Sequence, residues 1–142
     1  MKVAQLLKGR SDSVATVSAE TPIPAVVAML KSRKIGAVVV VDGDGDIAGI
    51  LSERDIVGGL ADQGAQVLDG VARDLMTVSV KTCRPGHDVT WIMRTMTEGR
   101  FRHIPVMDNG KMVGIVSIGD AVKARIQELE QEAQALQNFI VG

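Results

Sequence analysis

The sequence predicts a mixed α/β (α+β) fold made of one β-α-β-β-α unit written twice, with a long helix at the C-terminal end. Three observations carry this. The frame G-x-x-S-x-x-D occurs at Gly49-Ile50-Leu51-Ser52-Glu53-Arg54-Asp55 and returns 65 residues later at Gly114-Ile115-Val116-Ser117-Ile118-Gly119-Asp120. Each copy follows an apolar, β-branched run, Ala37 to Val41 and then Ile104 to Met107, across an Asp- and Gly-rich loop. Beyond the second copy, Val122, Ile126, Leu129, Ala133, Leu136 and Ile140 recur at spacings of 4, 3, 4, 3 and 4.

The duplication reaches past the motif. Val3 to Leu7 resembles Val71 to Leu75, Val14 to Val17 matches Val80 to Cys83, and Ile35 to Val41 matches Phe101 to Met107. A period this long is a duplicated half-domain, not a solenoid repeat. The expected boundaries are 3–63 for the first unit, 64–73 for the connection, 74–125 for the second unit and 126–142 for a helical extension.

In the first unit Val14 to Val17 reads as a short strand. Thr21-Pro22 opens a helix to about Arg33, because proline is tolerated in a first turn, and Gly36 follows its end. Ala37 to Val41 has the unbroken apolarity of a strand buried on both faces, and Ile47 to Leu51 is its hairpin partner. A helix from Asp55 to about Gln63 ends at Gly64, a C-cap candidate. The second unit repeats this order. Val78 to Cys83 is the strand and Asp88 to about Glu98 the helix, with Val89, Ile92, Met93 and Met96 inward and Gly99 at its end. Phe101 to Met107 and Met112 to Val116 form the hairpin. Trp91 reads as packing. From Asp120 a helix runs to about Ile140, and its seam of nearly three heptads, flanked by Glu and Gln, reads as a contact between subunits.

Composition narrows the function. Apolar residues make up 46% of the 142 and aromatics only 2%, so the core is built from Val, Ile, Leu, Met and Ala. With 16 basic and 17 acidic residues the net charge is −1, which argues against a general nucleic-acid or anionic-membrane binder. Cys83 is the only cysteine, so no internal disulfide forms. No apolar run approaches the ~20 residues of a membrane span, and the N-terminal run is too short for a signal peptide. The expectation is a cytoplasmic protein.

The motif itself offers two kinds of chemistry. Its Ser stands where a helix N-cap belongs and its Asp falls three residues on, a capping box with Asp in place of Glu. In both copies Gly is expected to give the backbone freedom to turn at the strand's end. The same geometry also suits a nucleotide. Unpaired N–H groups and a partial positive charge at a helix start accept phosphate, and an acceptor-only carboxylate can hold two ribose hydroxyls.

The duplicated unit with its paired G-x-x-S-x-x-D resembles a CBS-domain pair, or Bateman module, over about residues 3 to 125. The phrases Ile35-Gly36-Ala37-Val38-Val39-Val40, Ser52-Glu53-Arg54-Asp55, Arg100-Phe101-Arg102-His103-Ile104-Pro105-Val106 and Ser117-Ile118-Gly119-Asp120 resemble stand-alone bacterial CBS-pair proteins. The resemblance implies pseudo-twofold symmetry, an adenosine nucleotide held between the two units with two related clefts to hold it, and no catalysis. It implies a first cleft from Ser52, Arg54, Asp55, Thr82, Cys83, Arg102, His103 and Ile104. The second would use Thr16, Val17, Gly36, Ala37, Val38, Ser117 and Asp120. The family often has Pro after the small strand residues. Pro105 supplies it in the second unit, whereas Val39 stands there in the first.

The expected ligand is AMP, with ADP, ATP or NAD(H) as alternatives, and no cofactor or metal is required. The expected partners are a second copy in a homodimer and an unidentified regulated protein, with neither nucleic acid nor membrane. The alternative is a structural or adaptor dimer without a physiological ligand. The cleft built on Asp55 is expected to bind more tightly, because Arg54 and Arg102 carry positive charge there beside His103, while Gly119, Gly36 and Ala37 around Asp120 carry none.

Other constellations are weaker. Asp42-x-Asp44-x-Asp46 resembles the start of a calcium loop, but Ile47 stands where that loop needs Gly; a solvated hairpin turn explains the run. His87, His103 and Cys83 are too few for a closed zinc site. Cys83 and His103 lack a third, orienting group for nucleophilic catalysis.

Overall fold

The computed structural model describes residues 1–10 and 14–141; residues 11–13 and the last position of the expected extension, 142, lie outside the described residues. In chain order the elements are α1 (Val3–Leu7), β1 (Thr16–Ser18), α2 (Ile23–Arg33), β2 (Ala37–Val41), β3 (Ile47–Ser52), α3 (Glu53–Gln63), a 3-10 helix (Gly64–Asp69), α4 (Ala72–Leu75), α5 (Val89–Gly99), β4 (His103–Asp108), β5 (Lys111–Ser117) and α6 (Ile118–Val141). They form two compact units. One spans Ser13–Val80; the other joins Met1–Asp12 to Lys81–Gly142.

In the unit of residues 13–80 the sheet order is β1-β2-β3, with β1 parallel and β3 antiparallel to β2. Ala37 to Val40 are all buried, as their unbroken apolarity requires of a central strand. Val38 and Val40 pack with Val17, Ile23, Val26, Leu30, Leu51 and Ile56. Each such side chain contributes ~1.5–3 kcal/mol relative to exposure. The expected connection is itself helical: α4 follows the 3-10 helix and is tied to the residues before α2. Ala72 N–H donates to Thr21 O at 2.8 Å and Ile23 N–H to Gly70 O at 3.1 Å.

The other unit repeats that arrangement with α1 in the place of α4. Val3 N–H donates to His87 O and Val89 N–H to Met1 O, each at 2.9 Å. Val3 is fully buried with Val89, Ile92, Met96, Ile104, Val106 and Val116. Thus the opening segment of the chain packs with the second copy of the repeat, and α4 completes the first. Met93 is partly buried against the core, as expected. Trp91 stacks on His87, ring centroids 4.1 Å apart, and stays partly exposed.

Three expectations are corrected here. The strand expected over Val78 to Cys83 does not form; Cys83 alone makes a parallel bridge to Val106. The first unit shows why. There Val39 N–H donates to Ala15 O at 3.0 Å. The matching residues are Pro105 and Lys81, and proline has no N–H to donate.

Gly36 follows the end of α2 and Gly99 ends α5, as expected, but neither takes the left-handed cap position. Lys34 and Arg100 take the left-handed position instead, at φ 55° and 58°. Lys34 N–H caps Leu30 O and Lys31 O, and Arg100 N–H caps Met96 O. Gly99 closes α5, where a Cβ would collide with the Phe101 ring.

The motif glycines do not serve a turn. A Cβ on Gly49 would stand 2.8 Å from Met76 Sδ and from Thr77 O, and one on Gly114 2.7 Å from Leu7 Cδ2. At Gly49 glycine is needed so that the incoming backbone can lie close on the strand, and at Gly114 it leaves room for the Leu7 side chain.

The C-terminal helix starts earlier than expected, at Ile118, and has 24 residues. Only Ala121 and Ala124 in it are fully packed. No helix among the described residues is long and apolar enough to cross a membrane.

Candidate functional site

Each motif lies at the junction of a strand and a helix, β3 with α3 and β5 with α6. Ser52 caps α3: Asp55 N–H donates to Ser52 Oγ at 3.3 Å, and Ser52 N–H donates to Asp55 Oδ2 at 2.9 Å. Ser117 and Asp120 repeat this reciprocal cap at 3.1 and 3.0 Å. The capping reading of the motif therefore holds in both copies. It holds each carboxylate rigidly at a helix start, where the backbone's partial positive charge favours anions.

The two carboxylates differ in what else they meet. Asp55 Oδ1 accepts from the Thr77 hydroxyl at 3.4 Å. Asp120 Oδ2 is ion-paired with Arg10 Nη2 at 3.0 Å, and Arg10 Nη1 donates to Ile115 O at 2.9 Å. Burial works to raise the Asp120 pKa. Hydrogen bonds from Ser117 and Arg10, with the Arg10 charge, outweigh it and hold the carboxyl below its ordinary range. The expectation that Asp120 stands without neighbouring charge is thus corrected. A signal for Arg10 existed: the match of Val3–Leu7 with Val71–Leu75, carried three residues on, sets Arg10 where the other copy has Val78.

The other expected site residues lie beside the motifs within their own units. In the unit of residues 13–80, Ala37 pairs across the hairpin with Ser52, and Gly36 O accepts from Glu53 N–H at 3.0 Å. Thr16 and Val17 pair with Val39 and Val40. In the other unit His103 pairs with Ser117, and Arg102 O accepts from Ile118 N–H at 2.8 Å. Thr82 is exposed and precedes the Cys83 bridge.

Burial sorts these residues. Val17, Val38, Cys83 and Ile104 are core side chains, and Ala37 is buried. Any contact they make with a solute is through backbone. Ser52, Asp55, Gly36, His103, Ser117 and Asp120 are half-buried, while Thr16, Arg54, Thr82 and Arg102 are exposed. Burial pushes the Cys83 thiol up to about 11, so it is a poor nucleophile.

The acidic run is a turn. Asp42 Oδ1 accepts from Asp44 N–H at 2.9 Å and from Asp46 N–H at 3.0 Å, and Gly45 takes φ 83°. All three carboxylates are exposed, and one oxygen of Asp42 already serves the backbone. His87 Nδ1 accepts from Arg84 N–H at 2.9 Å.

The sequence matches the CBS domain family twice, over residues 5–62 and 72–127. The chain belongs to the CBS-domain family. It is similar to the mitochondrial CBS domain-containing protein CBSX3 of Arabidopsis thaliana, 39% identical over 127 residues, which are 87% of this chain and 61% of that protein. The chain thus spans less than two thirds of that relative's length. Among solved structures it resembles the CBS-domain protein ATU1752 of Agrobacterium tumefaciens, at TM-score 0.84 and 44% identity over 87% of this chain and 92% of that one. A CBS domain protein of Pyrobaculum aerophilum complexed with AMP shares the fold, at TM-score 0.73 and 24% identity over 84% and 89% of the two chains.

Proposed function

We propose that this CBS-domain chain is a non-catalytic regulatory module that binds an adenine nucleotide through its two Ser–Asp motifs. In this reading the carboxylates of Asp55 and Asp120 take ribose hydroxyls, Ser52 and Ser117 take phosphate, and the helix starts supply N–H groups. Thr16, Gly36, Thr82, Arg102 and His103 are the proposed adenine- and phosphate-side contacts, with Val17, Ala37, Val38, Cys83 and Ile104 contributing backbone. AMP is the proposed ligand, with ADP, ATP and NAD(H) as related candidates.

The observation that carries the reading is the same rigid cap at both helix starts. A capping box alone needs no second copy, whereas two matched carboxylates at helix starts suit a diol and a phosphate each. The AMP complex of the Pyrobaculum aerophilum protein supports adenosine as the nucleoside. The reading is tested by a thermal-shift panel of AMP, ADP, ATP, NAD and NADH, because a ligand that binds only the folded chain raises Tm. A panel in which no adenine nucleotide moves Tm would rule it out.

The second reading is a structural or adaptor dimer whose motifs only cap helices. The exposed apolar seam of α6 favours it. Dimerisation and nucleotide binding are compatible, so a homodimer belongs to both readings, and the panel decides between them.

A further inference from the structure

The distal part of α6 carries apolar side chains that nothing among the described residues covers. Ile126 is 50% exposed, Leu129 46%, Leu136 61% and Ile140 74%. With Val122 and Ala133 they make the heptad seam, and the packed face at Ala121 and Ala124 lies roughly a third of a turn away from it. The seam is therefore open to a partner while α6 keeps its contacts with its own core. The charges beside the seam are sorted along the helix: Lys123 and Arg125 at the near end, Glu130 and Glu132 further on.

We propose that α6 pairs with α6 of a second copy of this chain, running in the opposite direction and centred between Ile126 and Leu129. In that register Ile126 meets the partner's Leu129 and Val122 meets the partner's Ala133, so large faces large at the centre and Ala133 makes room for Val122. Antiparallel helices place like flanking positions together along each side of the seam. Lys123 then approaches the partner's Glu130, and Arg125 the partner's Glu132. The twofold axis repeats both contacts, giving two pairs of opposite sign on each side.

The parallel arrangement matches the charges less well. It keeps Arg125 against the partner's Glu130 but leaves Glu132 against the partner's Gln137 and Lys123 against an apolar position. Such flanking charges set orientation and partner choice in helix pairs. Within its own helix Arg125 already contacts Glu128 at 3.2 Å and Glu132 at 4.0 Å, so it has only to share its guanidinium across the interface. This inference is independent of nucleotide binding.

Cysteine pairing in the full-length chain tests it without ligand. Val122→Cys and Ala133→Cys variants are oxidised singly and as a mixture, and disulfide-linked dimers are measured on a non-reducing gel. The native Cys83 is buried and takes no part. In the proposed register each Ala133 lies about 16 Å along the axis from its own copy, far beyond the reach of a disulfide. The mixture should therefore cross-link at least tenfold more than Ala133→Cys alone. Efficient cross-linking of Ala133→Cys with itself would show a parallel pair and overturn the proposal, as would no cross-link in any sample. As a second measurement, Lys123→Glu with Arg125→Glu should weaken dimerisation about tenfold in sedimentation. Adding Glu130→Lys and Glu132→Lys should restore it; failure to restore it also overturns the proposal.

Discussion

Arg10 reaches Asp120 at 3.0 Å across 110 residues of sequence, while the matching carboxylate, Asp55, accepts from the neutral hydroxyl of Thr77. The two copies of one motif therefore offer a ligand unequal carboxylates. One already has a cation on it; the other faces a neutral group that a ribose hydroxyl can replace at little cost.

Nucleotide affinity should follow this difference. Asp55→Ala should remove a charged hydrogen bond to ribose worth ~1.5–3 kcal/mol, about ten- to hundredfold in Kd. Asp120→Ala should cost the high-affinity event much less. Calorimetry with AMP on the two variants checks the order, and equal losses would show that the Arg10 contact does not distinguish the motifs.

The Arg10–Asp120 pair should be felt in acid. The folded-state pKa of Asp120 is lowered, so its contribution to stability is complete above the ordinary carboxylate value near 4 and is lost as pH falls through the lower folded value. Both side chains are about one-third exposed, and solvent screening limits the pair to about 0.5–1 kcal/mol. Denaturant titrations should show Arg10→Gln less stable than the parent by that amount at pH 7. The difference should shrink as pH falls below the ordinary carboxylate value of about 4.

Cys83 should resist alkylation in the folded chain. Burial holds its thiol near 11, so little thiolate exists at pH 8 and reagent has no path to it. Mass spectrometry after iodoacetamide treatment should find Cys83 unmodified in buffer and fully modified in denaturant. Fast labelling of the native chain would contradict its place in the core.

Arg100→Gly should stabilise the protein. Arg100 sits at φ 58°, and the left-handed region costs a residue with a Cβ roughly 1–2 kcal/mol, partly offset by the greater freedom of glycine when unfolded. A net gain of about 0.5–1 kcal/mol is expected, read as a rise in Tm. Lys34→Gly should behave alike, because φ there is 55°.

What the sequence determined by itself is what lies within a few neighbours along the chain. The buried central strand follows from the unbroken run Ala37 to Val40, and the two caps follow from Ser and Asp three positions apart. The duplication follows from matching such local patterns at a distance, and it was enough to identify the family. Local reading also placed the helix ends near Arg33 and Gly99, but nothing in a residue type says that Lys34 or Arg100 will take the left-handed position that closes them.

Tertiary structure decided the rest, and each case turns on a partner remote in sequence. Gly49 must be glycine because the backbone carbonyl of Thr77 lies on it. The strand before Cys83 fails because its neighbour there is Pro105, which cannot complete the ladder that Val39 completes in the first copy. Arg10 becomes part of the second motif because α1, packed by Val3 in the core beside Val89, delivers it there. Side-chain pattern records which face of an element is apolar. Which distant element covers that face, and what charge it brings with it, is fixed only when the cores close.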